Sequence, residues 1–132
     1  HELFDPVAGV AETGAHVRVA VVGGCASGKS TVASALQASG FDAYVVGQEH
    51  SAIRDLWKRR SPDVLVYLHA SLEVVRARRG RSWPEWLYHR QVQRLADARE
   101  HADIVVDTGA ESESATIAQV LDAISVMRQA DS

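Results

Sequence analysis

Asparagine is absent from the 132-residue chain, and cysteine occurs only once. Without asparagine the guanine-reading N-K-x-D motif cannot be present, and this excludes a switch GTPase. A single cysteine cannot form an internal disulfide, which predicts a reducing, cytoplasmic location. The sequence has no run of the roughly 20 apolar residues that cross a bilayer. Its first residues also lack the basic start and apolar core of a signal peptide, so we expect no membrane partner.

Charge of one sign is not in large excess either. The chain has 14 basic and 17 acidic residues and a formal net charge of −3, so we expect no nucleic-acid partner. No Cys/His cluster has the spacing of a zinc site. The basic residues are unevenly placed, because seven of the twelve arginines lie between Arg76 and Arg99. A solvated, ion-paired helix is the ordinary explanation of such a run, and phosphate contacts are the alternative.

The most informative segment is glycine-rich and covers residues 23–30, which read Gly-Gly-Cys-Ala-Ser-Gly-Lys-Ser. This is a full match to the phosphate-binding P-loop pattern G-x-x-x-x-G-K-[ST]. A short, β-branched strand is predicted over 17–22, and a helix is predicted over 29–39 with Gly40 as its stop signal. Strand, glycine loop and helix are the context that the motif requires, so the segment predicts nucleotide binding.

Each part of this segment has a predicted role. The glycines let the backbone approach a triphosphate, and the loop N–H groups and the helix N-terminus form an anion site. Lys29 is expected to reach the β- and γ-phosphates, Ser30 to bind Mg²⁺ and Thr31 to contact the α-phosphate. The predicted cofactors are therefore ATP or ADP with Mg²⁺. The nucleotide-binding residues expected here are Gly23, Gly24, Cys25, Ala26, Ser27, Gly28, Lys29, Ser30 and Thr31.

The rest of the chain alternates predicted strands with predicted helices. This alternation predicts an α/β fold of three layers, with four to five parallel strands and helices on both faces. We assign residues 17–132 to one nucleotide-binding domain and residues 1–16 to a tail or linker. Ser71 is expected to cap one helix, and Ser82 with Glu85 has the spacing of a capping box for the next. Further strands are predicted at 42–46, 64–68 and 103–107. Helices are predicted at 51–60, from residue 72 into the arginine run at 76–81, at 82–100 and at 114–127.

Three blocks, 19–31, 62–68 and 102–108, resemble the P-loop nucleoside and nucleotide kinase-like (adenylate kinase-like) group. They frame nearly all of residues 17–128. The resemblance implies the strand order 2-1-3-4 and a mobile lid between the second and third blocks, whose arginines contact the transferring phosphates. It also implies a loop near the adenine, formed here by Asp107, Thr108 and Gly109. The arginines that we expect to be catalytic in such a lid are Arg76, Arg79 and Arg81.

Two carboxylates have alternative interpretations. Glu49 ends the strand expected beside the glycine loop, where it is either a base or Mg²⁺-shell ligand, or a solvated loop residue. Asp107 follows an apolar run, as a Walker B aspartate does. If its strand lies away from the glycine loop, Asp107 instead shapes the loop near the base.

The chain also departs from the kinase pattern. Gly40 leads straight into a strand, where these kinases usually insert a segment that holds the acceptor, and His69 stands where an aspartate often follows the second block. Two functions remain open. The first is an ATP- and Mg²⁺-dependent phosphotransferase acting on a small-molecule acceptor, with Lys29 and Glu49 in catalytic roles. The second is a nucleotide-binding regulatory or interaction module without phosphoryl transfer.

Overall fold

The structure, a computed structural model, describes residues 17–109 and 111–130. The tail predicted over residues 1–16 lies outside them. None of the helices in these described ranges combines the length and the apolar character that a membrane span needs. In chain order the elements are β1 (Arg18–Gly23), α1 (Lys29–Ala38), β2 (Asp42–Val45), two 3₁₀ turns (Gln48–His50 and Leu56–Lys58), β3 (Val64–His69), α2 (Leu72–Arg79), α3 (Glu85–His101), β4 (Ile104–Asp107) and α4 (Glu113–Ala130).

The four strands form one parallel sheet in the order β2-β1-β3-β4, which confirms the predicted strand order. Strand β1 is central, and its residues Val19, Ala20, Val21 and Val22 are fully buried. This is why the strand reads as a continuous apolar run rather than as an alternating one. Because all strands are parallel, the connections that leave their carboxyl ends meet at one edge of the sheet.

Helices cover both faces of the sheet, as predicted. On one face, helices α1 and α4 contribute Leu36 and Ile124 to a core with Val21 and Val66. On the other face, helix α3 packs Leu95 and Ala98 against side chains of β1 and β3. The alternation of side chains along the buried strands supplies both cores from the same segments. Over residues 17–109 and 111–130 the fold is therefore α/β, with a four-stranded parallel sheet and four helices.

The prediction of a helix over 51–60 is wrong. This segment consists of turns and bends, with one short 3₁₀ turn at Leu56–Lys58. The cause is the fully buried side chain of Gln48. Its Nε2 donates to the Ile53 carbonyl at 2.6 Å, and its Oε1 accepts from the Trp57 amide at 3.0 Å. These two bonds take the place of helical backbone bonds and fold the segment back on the end of β2.

The two predicted helix caps have opposite outcomes. The Ser71 hydroxyl accepts from the Val74 amide at 3.2 Å, which confirms the cap of α2. The capping box of Ser82 and Glu85 is wrong, because α3 starts at Glu85 behind Pro84 and no side chain caps it. Pro84 adopts φ −70° and ψ 135°, an extended conformation that a proline ring favours immediately before a helix.

Candidate functional site

The loop of residues 24–28 (loop 24–28 from here on) joins β1 to α1 at the carboxyl edge of the sheet. Gly28 has φ 91° and Ala26 has φ 63°, so both lie in the left-handed region. An alanine in that region is uncommon, and such conformations concentrate at ligand-binding loops. Within the described part of the chain no side chain caps α1, and the first turn of this helix contains no acidic residue. Its N-terminal amides and dipole are therefore available to an anion.

A buried ion pair lies behind this loop. The Lys29 ammonium is 2.7 Å from Glu49 Oε2, and the two side chains are only 12% and 4% exposed. The same ammonium donates to the Gly24 carbonyl at 2.9 Å. Glu49 comes from the Gln48–His50 turn after β2, so strand pairing between β1 and β2 brings the two residues together. The pair places a cation at the base of the loop and holds it with a carboxylate.

Glu49 is not the solvated loop residue that was one of its two interpretations. It is 3% exposed, and its second oxygen, Oε1, has no hydrogen-bond partner among the described residues. The Arg94 guanidinium also reaches the Glu49 backbone carbonyl at 3.5 Å. A buried carboxylate with one free oxygen can accept a proton or a metal ion.

Gln91 of α3 supports the loop from the other side. Its Oε1 accepts from the Cys25 amide at 3.1 Å, and its Nε2 lies 3.1 Å from Cys25 Sγ. Gln91 is 5% exposed, so this contact is made in a dry environment. A side chain on Gly24 would approach Gln91 Oε1 at 3.3 Å, which is one reason for the glycine.

The other predicted loop residues occupy three different environments. Ser27 is 1% exposed, and its hydroxyl has no partner among the described residues. Ser30, the predicted Mg²⁺ ligand, is exposed in the first turn of α1, and Thr31 beside it is half-buried. Ser30 is thus accessible to a metal that arrives with a phosphate, which is how Mg²⁺ is commonly held.

Arg78, which sequence reasoning passed over, is the arginine of α2 that contacts loop 24–28. Its guanidinium donates to the Ala26 carbonyl at 2.5 Å and to the Thr108 carbonyl at 2.8 Å. It therefore links the loop to the residues that follow β4. A cleft of about 350 Å³ lies here, lined by loop 24–28, Arg78, Arg79, Thr108 and the first turns of α4. Its volume is within the range of small-ligand sites.

The three arginines predicted to be catalytic do not converge. Arg76 Nε donates to the Trp83 carbonyl at 3.0 Å and so joins α2 to the chain before α3. Arg79 lines the cleft, and its guanidinium lies 5.8 Å from the centre of the Trp83 ring. Arg81 is exposed in the turn between α2 and α3. Of the three, only Arg79 shares the cleft with loop 24–28.

Of residues 107–109, predicted to lie near the base, Thr108 lines the cleft. Strand β4 pairs with β3 and is separated from β1 by it, which favours the loop-shaping interpretation of Asp107 over a Walker B role. Its Oδ1 accepts from the Gly109 amide at 2.9 Å. The Thr108 hydroxyl donates to the His69 carbonyl at 3.2 Å. A Cβ on Gly109 would overlap Cγ2 of Val74, so a larger residue there would require the Val74 side chain to move.

Similarity to known proteins adds no further assignment. No sequence profile of a known protein family matches the chain, and no curated protein is significantly similar to it. The site is therefore described by its own geometry, with a glycine loop at a helix N-terminus, a buried Lys29–Glu49 pair and an arginine-lined cleft.

Proposed function

We propose that this chain binds ATP with Mg²⁺ through residues 23–31 and transfers a phosphoryl group to a small-molecule acceptor. The observation that carries the proposal is the buried Lys29–Glu49 pair at the base of a glycine loop. The Lys29 ammonium can bind a phosphate oxygen if it gives up its hydrogen bond to the Gly24 carbonyl.

The remaining residues support the same assignment. The uncapped N-terminus of α1 and the amides of loop 24–28 suit the phosphates, and the exposed Ser30 hydroxyl would hold Mg²⁺. The metal supplies charge neutralisation on the phosphates when it is bound. The cleft between loop 24–28 and Thr108 suits the adenosine, with Arg78 and Arg79 at its rim. Glu49 would orient Lys29 and, through its free oxygen, accept a proton from the acceptor hydroxyl.

A second function, nucleotide binding without transfer, is favoured by one specific observation. The chain passes from α1 (Lys29–Ala38) to β2 (Asp42–Val45) in three residues, and no segment there could enclose an acceptor. A sensor or interaction module would bind the nucleotide with the same loop, but it would transfer no phosphate to any acceptor in a panel.

Calorimetry with ATP, ADP and GTP, each with and without Mg²⁺, tests the nucleotide site. We expect Mg²⁺-dependent binding of ATP in preference to GTP. Lys29→Ala should weaken ATP binding by about 1.5–3 kcal/mol, or roughly 10- to 100-fold in Kd, because a charged hydrogen bond to phosphate is lost. It should also abolish any phosphoryl transfer.

Lys58 provides the matched control, since it is an exposed lysine that lies 5.4 Å from the Trp57 ring. Lys58→Ala should bind ATP like the unmodified chain. Lys29→Ala also leaves the Glu49 carboxylate without its cation, so the double variant Lys29→Ala/Glu49→Gln is measured beside it. Unchanged ATP affinity or unchanged turnover in both Lys29 variants would refute the proposed function.

A further inference from the structure

Three side chains that bind transition metals meet beside loop 24–28, at a place where the proposed nucleotide site does not need them together. They are Cys25 from the loop and Glu49 and His50 from the turn after β2, and their ligand atoms all lie within 4.8 Å of one another. We propose that these three residues form a binding site for a divalent transition-metal ion of the zinc type. The site is distinct from the proposed Mg²⁺ position at Ser30.

The distances suit a tetrahedral ion. Zinc bonds of about 2.0–2.3 Å place neighbouring ligand atoms roughly 3.3–3.7 Å apart. His50 Nε2 lies 3.5 Å from Glu49 Oε2, which is within that range. The remaining ligand atoms lie within 4.8 Å of one another, so an ion would draw them closer together. The His50 side chain is 66% exposed and has room to move.

Glu49 supplies an independent reason for a ligand at this place. Its side chain is 4% exposed, and Lys29 occupies only Oε2. The other oxygen, Oε1, has no hydrogen-bond partner among the described residues. Buried carboxylate oxygens are normally satisfied by a donor, a water or a metal. An ion held by Oε1 would satisfy this oxygen and leave Oε2 in contact with Lys29, and the His50 ring, which now lies beside Oε2, would turn toward the ion. While bound, the ion would also keep Oε1 from acting as the proposed base.

Gln91 holds Cys25 in place beside Glu49 and His50. The Cys25 backbone amide can only donate, and Gln91 Oε1 accepts from it, so the amide nitrogen Nε2 must face Cys25 Sγ at 3.1 Å. An N–H group aimed at sulfur fixes the position of the sulfur, in the way that outer partners orient the ligands of metal sites. On metal binding the Cys25 proton leaves to solvent, and the sulfur forms the metal bond.

The ligand types decide which ion fits. Thiolate and imidazole favour zinc, cobalt and related ions, whereas Mg²⁺ prefers carboxylate, carbonyl and water oxygens. Three protein ligands leave a fourth position for a water molecule or another ligand. A site with an open position exchanges its ion more readily than a closed structural site with four protein ligands.

Cobalt(II) titration of the reduced, nucleotide-free chain tests this site. We expect one cobalt ion per chain, a sulfur-to-cobalt charge-transfer band in the near ultraviolet, and competition by zinc. Cys25→Ser should abolish the band, because Cys25 is the single cysteine. His50→Ala and Glu49→Gln should each weaken cobalt binding by at least the roughly 10- to 100-fold that loss of an outer partner costs.

His89→Ala is the matched control, because His89 also lies within 3.2 Å of a glutamate and its side chain is 62% exposed. It should leave cobalt affinity unchanged, as should His101→Ala in the separate Asp97, Glu100 and His101 cluster. Circular dichroism establishes that each variant is folded. Absence of the band, unchanged cobalt affinity in both Glu49→Gln and His50→Ala, or equal weakening by either control variant would overturn the proposal. The titration contains no nucleotide, so its outcome is independent of the proposed function.

Discussion

Gly23 lies at the end of β1, where the chain turns beneath loop 24–28 and no space is left for a side chain. An added Cβ would lie 2.5 Å from Ser27 Oγ and 2.6 Å from the Leu68 carbonyl oxygen, which is backbone and cannot rotate away. We therefore expect Gly23→Ala to lower the free energy of unfolding by about 1–3 kcal/mol. Urea denaturation measures this loss.

Gly47 provides the comparison for that substitution, because nothing lies within 4 Å of its Cβ position. Gly47→Ala should leave the free energy of unfolding within about 0.5 kcal/mol or raise it slightly, since it reduces the freedom of the unfolded chain. Equal effects of the two substitutions would contradict the close packing at Gly23.

The sequence led to some residues of the site and not to others. Lys29 belongs to a local pattern, and Glu49 follows from the expectation that β2 lies beside β1. Arg78 and Gln91 depend on contacts 52 and 66 residues away along the chain. The arginine run left phosphate contacts open as an alternative to a solvated helix, but only the rotation of α2 determines that Arg78 reaches the loop. Nothing in the sequence near Gln91 marks it.

At the scale of elements, the start of α2 depends on one hydroxyl. Ser71 Oγ accepts from the Val74 amide, which otherwise has no partner within the helix. Ser71→Ala should lower the free energy of unfolding by about 1 kcal/mol and lower Tm accordingly. Thermal unfolding followed by circular dichroism measures the change.

Ser82 is the natural control for this cap, because it is an exposed serine just before the next helix and α3 has no side-chain cap. Ser82→Ala should change the free energy of unfolding by less than about 0.5 kcal/mol. A destabilisation of Ser82→Ala equal to that of Ser71→Ala would restore the capping box that the structure lacks.

For the segment after β2, the local hydrophobic spacing predicts a helix, whereas the folded structure has turns. The spacing of Ile53, Leu56 and Trp57 favours a helix, yet Ile53 is 45% exposed and the segment forms turns. The buried amide of Gln48 decides the outcome, because it satisfies one carbonyl and one amide of this segment. The hydrophobic periodicity of residues 51–60 cannot predict these turns, because the side chain that forms them, Gln48, lies outside the segment and is polar.

At the scale of the whole molecule, the buried tyrosines make the free energy of unfolding fall as the pH becomes alkaline. Burial raises the pKa of Tyr67, Tyr44 and Tyr88 above 10.0, although Arg99 beside Tyr67 and Arg60 beside Tyr44 act in the opposite direction. Unfolded tyrosines ionise first, so the unfolded state binds fewer protons above that pH. Their contribution to stability is complete below about pH 10 and is lost as pH rises through the folded-state pKa values.

Tyr67→Phe separates this effect from other alkaline effects, because phenylalanine keeps the ring and removes the titrating group. We expect the free energy of unfolding of the variant to fall less steeply between about pH 10 and pH 12 than that of the unmodified chain. Chemical denaturation at a series of pH values gives both slopes. Identical slopes, or a steeper fall in the variant, would rule out the contribution of Tyr67.

The architecture was the most predictable part of the molecule. Strands β1 and β3 are apolar throughout, and the helices between the strands favour a parallel sheet. The order of the strands came from the resemblance of three blocks to a kinase-like group, and the structure has that order. Strand and helix ends differ from prediction by one to a few residues, because backbone pairing and caps determine them.

The all-parallel pairing has a consequence for how the chain must fold. No neighbouring strands of this sheet can form a hairpin, since a connection must first cross a face of the sheet. The contacts that align the strands at their starts, such as Leu65 with Asp103 and Arg18 with Asp63, join residues 38 and 45 positions apart. The entropy of closing these loops is lost before sheet contacts compensate for it, which is the condition under which folding is slow.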